Sequence, residues 1–301
     1  MTPIFILGIA GRSGTNFLRK ILNSHPDISK VKLKGEDYFI SKLDYLDLYL
    51  NNVTFWWKRK KWEYQQDIED ELKISIGQGI MNVMPKDKSK KAFILKTPDT
   101  FNAHRYKDYF PKAKVIVMTR NAKDMVESGV KSKFWNYEEG FEIWNKSAKR
   151  IIKIKERKDI FYTTYEKLVL NTENELSKII KFCELNTVNY PYENLKKTPV
   201  LGSSANKKEG DEWNWKKQEK DELFKPLSRA EHWGVIRRWR YNWKCGKNAQ
   251  KLGYKKEEIK ILPLYFLTNI FLDCFLSIFK LKLFLKKHYI TFLCKNKKKN
   301  K

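Results

Sequence analysis

Four short apolar runs punctuate the chain, and amphipathic stretches separate them. Ile4, Phe5, Ile6 and Leu7 form a continuous hydrophobic run with β-branched members, and Ala92 to Leu95, Lys114 to Met118 and Asp159 to Thr164 repeat the pattern. Unbroken apolar runs of this length predict strands buried on both faces. After the first run, Phe17, Leu18, Ile21 and Leu22 recur at helical spacing. They predict a helix that starts near Ser13 or Gly14 and lays this stripe on the sheet. Asp124 to Lys133 and Glu138 to Lys155 are helical segments between the later runs. Strands alternating with helices predict an α/β fold, a parallel β-sheet flanked by helices. In such open sheets ligands bind outside the carboxyl ends of the strands.

The residues at those ends carry the candidate chemistry. The first strand runs into a glycine-punctuated loop, Gly8-Ile9-Ala10-Gly11-Arg12-Ser13-Gly14, and then a helix. Successive backbone N–H groups and the positive end of a helix dipole make such a turn a site for a tetrahedral anion. Nucleoside triphosphatases place Lys and then Ser or Thr directly after the last glycine of the loop. Here Thr15 and Asn16 follow Gly14, the cation comes earlier as Arg12, and GxGxxG cannot be laid over Gly8, Gly11 and Gly14. Ser13, Thr15 and Asn16 add short hydrogen-bonding side chains. The second strand delivers Lys96 and the third Arg120 to the same sheet edge. Three cations far apart in sequence are thereby expected to converge on one crevice.

Composition changes this picture at one point. Lys and Arg number 62 against 35 Asp and Glu, a formal charge of +27. That favours anionic partners, although much of the excess is Lys scattered among Asn and Ile. The four cysteines match no zinc spacing and read as reduced core or tail residues. The first strand begins almost at Met1, which leaves no room for a signal peptide and leads us to expect a cytoplasmic protein. Ile261 to Phe279 is strongly apolar and ends in a Lys-rich flank, with Asp273 near its middle. That pattern suits a helix lying on an anionic membrane surface, here the inner face, and the competing reading is a helix packed on the domain. The expected division is a catalytic domain over 1–260 and a tail over 261–301. The aromatic and basic patch Phe55 to Trp62 reads either as a stacking surface for bases or sugars or as a helix covering the mouth of the site.

The loop Arg12-Ser13-Gly14-Thr15 with Leu18 closely resembles the 5′-phosphosulfate loop of sulfotransferases. Lys114 to Gly129, KVIVMTRNAKDMVESG, resembles that family's second signature, a strand ending in Arg with Ser eight positions later. Leu252-Gly253-Tyr254 is similar to the family's closing helix terminus. The resemblance spans roughly Ile4 to Tyr254 and implies a P-loop-like sulfotransferase fold that takes 3′-phosphoadenosine 5′-phosphosulfate (PAPS) as co-substrate. It implies that Arg12, Ser13, Gly14, Thr15 and Asn16 hold the 5′ end, Asn16 standing where the family commonly has a second Thr. It also implies that Arg120 and Ser128 bind the 3′-phosphate, that Tyr165 lies near the adenine, and that Ser203 belongs to a loop closing over the donor. Lys96 is followed by Thr97 and Pro98, so the His used as base by phenol-type members is absent. Gly35-Glu36 is similar to the glycine-acidic pair of tyrosylprotein-type members, which makes Glu36 the candidate base and His104 the reserve. Arg12 and Lys96 are the expected stabilisers of the leaving oxygen, and no metal is required by this chemistry.

The acceptor is expected to be a hydroxyl of a glycan, a glycolipid or a peptide tyrosine, with no specific nucleic acid as partner. Two other readings stay open at this stage. One is a nucleotide-dependent kinase with a degenerate phosphate loop, and the other is a non-catalytic protein that binds anionic lipid or nucleic acid through its charge.

Overall fold

Every residue from Pro3 to Gly8 in the first strand, β1 (Thr2–Gly8), is buried, as a strand covered on both faces requires. The computed structural model describes residues 1–33, 35–62, 67–195, 201–207, 213–217, 227–260, 263–278 and 282, with the backbone alone at 194, 201–207 and 213–217. The strands β2 (Ile28–Ser29), β3 (Ala92–Thr97), β4 (Lys114–Thr119) and β5 (Ile160–Thr164) join β1 in one parallel sheet of order β2-β3-β1-β4-β5. β1 is therefore central, flanked by β3 and β4, with Leu7 level with Thr97 and Gly8 level with Met118. The four expected strands are present; the two-residue edge strand β2 is too short to leave a sequence signal.

Alternate residues of each strand feed two cores. Phe5, Leu7, Phe93, Leu95, Val115 and Val117 face one layer, which is built by α4 (Ala122–Lys131) and α5 (Tyr137–Ile154). Ile4, Ile6, Ile94, Ile116 and Met118 face the other, where α1 (Thr15–Leu22) and α7 (Thr172–Phe182) bury Phe17, Leu18, Ile21, Leu176, Ile179 and Ile180. The short α6 (Tyr165–Leu170) leads from β5 into α7. This is the expected sheet between two helical layers.

Between β2 and β3 stand α2 (Leu43–Arg59) and α3 (Ile68–Val83). The aromatic and basic patch forms the last turns of α2, with Phe55 and Trp56 half exposed under Arg59. Phe55 follows Leu43 by about 18 Å along the helix axis, so the patch sits at the end of α2 remote from the residues that lead into it from the site.

Residues 201–207 are the strand β6 (Leu201–Lys207), paired antiparallel with β7 (Trp213–Lys217). The expected closing loop is therefore in part a hairpin; the side chain of Ser203 and residues 208–210 lie outside the described residues. Beyond it, α8 (Val235–Tyr241) passes through a π-helical turn, Asn242–Gly246, into α9 (Lys247–Lys251). The chain stops that helix at Gly253, whose φ of 87° is costly for any residue with a Cβ. A further helix covers 263–278. Among the described residues no helix is long and apolar enough to cross a membrane. Cys183 and Cys245 are buried free thiols and Cys274 an exposed one, while Cys294 lies outside the described residues.

Candidate functional site

The carboxyl ends of β3, β1 and β4 stand side by side, and each delivers part of the site. From β1 the loop turns through Arg12 (φ 67°) and Gly14 (φ 91°), and Gly14 is the N-cap of α1. A Cβ at Gly14 would lie 2.3 Å from the Tyr165 ring, so both backbone angle and packing require glycine there. Ser13 is fully buried, and its hydroxyl donates to the Ala10 carbonyl at 2.7 Å. That side chain thus fixes the loop's conformation rather than pointing outward. The N–H groups of Gly14, Thr15 and Asn16 have no acceptor among the described residues, as expected for the open first turn of a helix. Thr15 is buried and Asn16 half-buried.

Arg120, one residue past β4, reaches back to this loop. Its Nη1 donates to the Arg12 carbonyl at 2.9 Å, and its guanidinium lies 4.5 Å from the centre of the Tyr165 ring. Tyr165 is buried, wedged between Gly14 and Arg120. Its ring therefore supports Arg120 at the position that the resemblance sets beside an adenine. Ser128, on α4, accepts from Arg12 Nε at 3.1 Å. The two sequence signatures therefore meet through Arg12 with Ser128 and through Arg120 with Arg12. Trp144 Nε1 donates to the Arg120 carbonyl at 2.9 Å, and Glu166 accepts the N–H of Asn121 at 2.8 Å. Tyr254 joins Glu166 (3.2 Å) to Thr119 (2.9 Å), so the segment after α9 braces the end of β4.

Arg229, which no sequence signal marked, completes the cluster. It sits in a tract of mixed charge after the hairpin, without strand or motif. Burial, with Arg229 and Arg120 nearby, pulls the Arg12 guanidinium down to about 10, and burial with Arg120 lowers Arg229 as well. The buried Nε of Arg229 has no acceptor among the described residues. Like charges held this close favour binding of an anion that neutralises them.

Lys96, at the end of β3, is the third of the cations expected from the sequence, and its side chain is only 2% exposed. It is ion-paired with Glu36, whose side chain is a quarter exposed and whose Oε2 is buried without a partner among the described residues. Burial lowers the Lys96 pKa, Glu36 opposes that, and Arg19 adds to it. The strand holds Glu36 through its neighbours. Asp37 N–H donates to the Lys96 carbonyl at 3.2 Å and Tyr38 N–H to the Thr97 hydroxyl at 3.0 Å. Arg19 on α1 donates to the Gly35 carbonyl at 3.2 Å. Burial also pushes the Asp37 carboxyl up. Glu36 and Lys96, 60 residues apart, are thus locked together on the strand next to the anion loop.

His104 lies elsewhere. It is exposed, and its carbonyl accepts from Arg157, which pairs with Asp159 just ahead of β5. That contact is at the amino-terminal edge of the parallel sheet, opposite the loop, and takes His104 out of the candidate site.

Comparison with known proteins agrees with this geometry. Over 201 residues the chain is 24% identical to a Caenorhabditis elegans protein named protein-tyrosine sulfotransferase A, covering 61% of this chain and 50% of that one. The chain thus spans about half the length of the curated relative it matches. The fold is similar to that of the sulfotransferase domain from the curacin biosynthetic pathway, with a TM-score of 0.51 at 16% identity, covering 85% of this chain and 99% of the other. A sulfotransferase from Alicyclobacillus acidocaldarius is similar over 62% of this chain and 82% of its own, at 18% identity and a TM-score of 0.42. The model of the sulfotransferase family matches residues 3–189, more than half of the sequence, and the chain belongs to that family.

Proposed function

We propose that this chain moves the sulfuryl group of PAPS to an acceptor hydroxyl, with the catalytic unit over 1–260. The observation that carries the proposal is the Lys96–Glu36 pair, held one strand away from an anion loop ringed by Arg12, Arg120 and Arg229. The open N–H groups of Gly14, Thr15 and Asn16 suit the 5′-phosphate of the donor, with Arg12 beside them. Ser13 serves by shaping that loop. Arg120 and Ser128 suit the 3′-phosphate, because a planar guanidinium matches two phosphate oxygens at once. Arg229 adds charge to that pocket, Tyr165 holds Arg120 from beneath, and Ser203 on the hairpin is the proposed cover.

In the reaction Glu36 takes the acceptor proton as the hydroxyl oxygen attacks sulfur. The new O–S bond forms in line with the breaking bond to the bridging oxygen, and adenosine 3′,5′-bisphosphate leaves with the electron pair. Lys96 has three N–H donors, enough to hold Glu36 and meet the charge that grows on the bridging oxygen, where Arg12 assists. A sulfuryl group carries less charge than a terminal phosphoryl group, so two cations suffice and no metal is invoked. The name of the Caenorhabditis elegans relative supports a tyrosine hydroxyl as one acceptor class, and glycan or glycolipid hydroxyls form the other.

Calorimetry on the full chain tests this. Adenosine 3′,5′-bisphosphate should bind without magnesium, and Arg120→Ala should weaken that binding at least about tenfold. Preference for ATP with magnesium would overturn the proposal in favour of a kinase, and binding of neither nucleotide would leave a non-catalytic protein. Transfer of labelled sulfate from PAPS to tyrosine peptides and to glycans then separates the acceptor classes.

A further inference from the structure

A surface helix of a globular protein normally turns its apolar stripe to the core and its polar side to water. The helix over 263–278 does the reverse. Its carboxylate, Asp273, points at the domain and accepts from Arg240 Nη2 at 2.7 Å, from Trp243 Nε1 at 2.8 Å, and from Lys244. Asn269, only 4% exposed, accepts from Arg240 Nη1 at 2.9 Å. Arg240 is itself buried and braced by two 2.7 Å bonds to Glu138 on α5. The polar stripe is thus spent on a preformed cation of the domain.

The opposite side carries Leu264, Leu267, Phe271, Phe275 and Ile278, each more than half exposed. Their spacing of three or four residues makes one continuous apolar seam. The small polar groups on the helix do not interrupt it. The Thr268 hydroxyl donates to the Tyr265 carbonyl at 2.9 Å and the Ser277 hydroxyl to the Asp273 carbonyl at 2.7 Å, so both are satisfied within the helix. Ile236, at the start of α8 and 69% exposed, lies beside the groove between α8 and this helix and widens the patch. Apolar area of this extent marks a surface made to be covered.

Charge identifies what covers it. After Ile278 the sequence has nine Lys and neither Asp nor Glu. A second copy of the chain would add nine more lysines and no acidic residue from the same segment, which opposes self-pairing. A surface that is apolar inside and anionic at its boundary satisfies both features. We propose that this face docks on an anionic lipid bilayer, with the helix in the plane of the interface, its seam in the acyl boundary and the following lysines among the headgroups. Arg240 and Asp273 set the rotation that presents the seam. Docking is independent of the transfer chemistry, so nucleotide binding and lipid binding can fail separately.

Flotation of the full chain with vesicles tests the proposal. It should bind vesicles of equal phosphatidylcholine and phosphatidylserine, bind phosphatidylcholine alone far more weakly, and be released by high salt. The double variant Leu267→Glu/Phe271→Glu should lower partitioning by about a hundredfold, because each side chain gives up its apolar burial in lipid. Its unfolding midpoint should stay unchanged, since both residues are exposed. Failure to float with either vesicle would overturn the proposal. So would equal binding to both vesicles, unaltered binding of the double variant, or a lipid-free dimer that the double variant disperses.

Discussion

Replacing Glu36 with Gln removes one charge and almost no volume, and so separates the proposed base from its structural duty. Lys96 is 2% exposed and Glu36 25%, so the pair is buried on one side and wetted on the other. Breaking a fully buried ion pair costs about 3–5 kcal/mol. Water reaches Glu36, and the Gln carbonyl still accepts from the ammonium, so the expected loss of stability is about 2 kcal/mol. The kinetic loss should be larger. A positioned base contributes about 10²–10⁴ in rate, equivalent to about 3–5 kcal/mol in the barrier. The assay is sulfate transfer at saturating donor and acceptor, run beside bisphosphate calorimetry and denaturant unfolding of the same protein. Turnover should fall at least about a hundredfold while bisphosphate affinity stays within about threefold, because Arg12 and Arg120, proposed to hold the two phosphates, follow β1 and β4, and Glu36 stands on the β3 side. Turnover within about threefold of wild type would refute Glu36 as the base. A parallel collapse of affinity and turnover would show that the residue holds the pocket rather than the proton.

Arg120→Ala should weaken bisphosphate binding by about 10–150-fold, the worth of a charge-assisted hydrogen bond, with little change in turnover at saturating PAPS. Titration calorimetry and kcat together check this. Gly14→Ala should cost about 2–5 kcal/mol in denaturant unfolding, the sum of left-handed strain and overlap with Tyr165. The same substitution made in a Tyr165→Ala background should cost less, because the overlap part is then absent, with the Tyr165→Ala single variant as the reference. His104→Ala should leave turnover within about twofold, since its contacts lie at the opposite sheet edge, and a large loss would restore it as the base. Asp273 titrates near 2: burial alone would raise its carboxyl, but Lys244, Trp243 and Arg240 outweigh that and hold it below the usual 3.8. Its contribution to tail docking should therefore be complete above about pH 4 and vanish as pH falls through about 2, in the difference between wild type and Asp273→Asn followed by Trp fluorescence.

The strands were legible because a continuous apolar run of five or so residues, bounded by turn and charged residues, fits little besides a strand buried on both faces. The loop was legible because its glycines, its missing Lys and its neighbouring strand all bear on one local turn. Glu36 could be named only by resemblance, since nothing in a Gly-Glu pair reports that Asp37 and Tyr38 will zip onto the end of β3. Arg229 gave no sign at all, because a single Arg in a charged tract gains meaning only from what folds beside it. The tail carried an ambiguous signal. Its polar stripe is visible in the sequence, but amphipathy states that two faces differ, not which one meets the protein.

The sequence by itself determined the alternation of strand and helix, the anion loop and the arrival of Arg12, Lys96 and Arg120 at one sheet edge. These depend on residues close in sequence and on a sheet rule that needs no coordinates. Tertiary structure alone decided that Glu36 meets Lys96, that Tyr165 lies under Arg120, that His104 belongs to the far edge, and that the tail turns its polar side inward. Each of these rests on a contact between segments dozens of residues apart, and no local pattern encodes the partner that the fold brings to each residue.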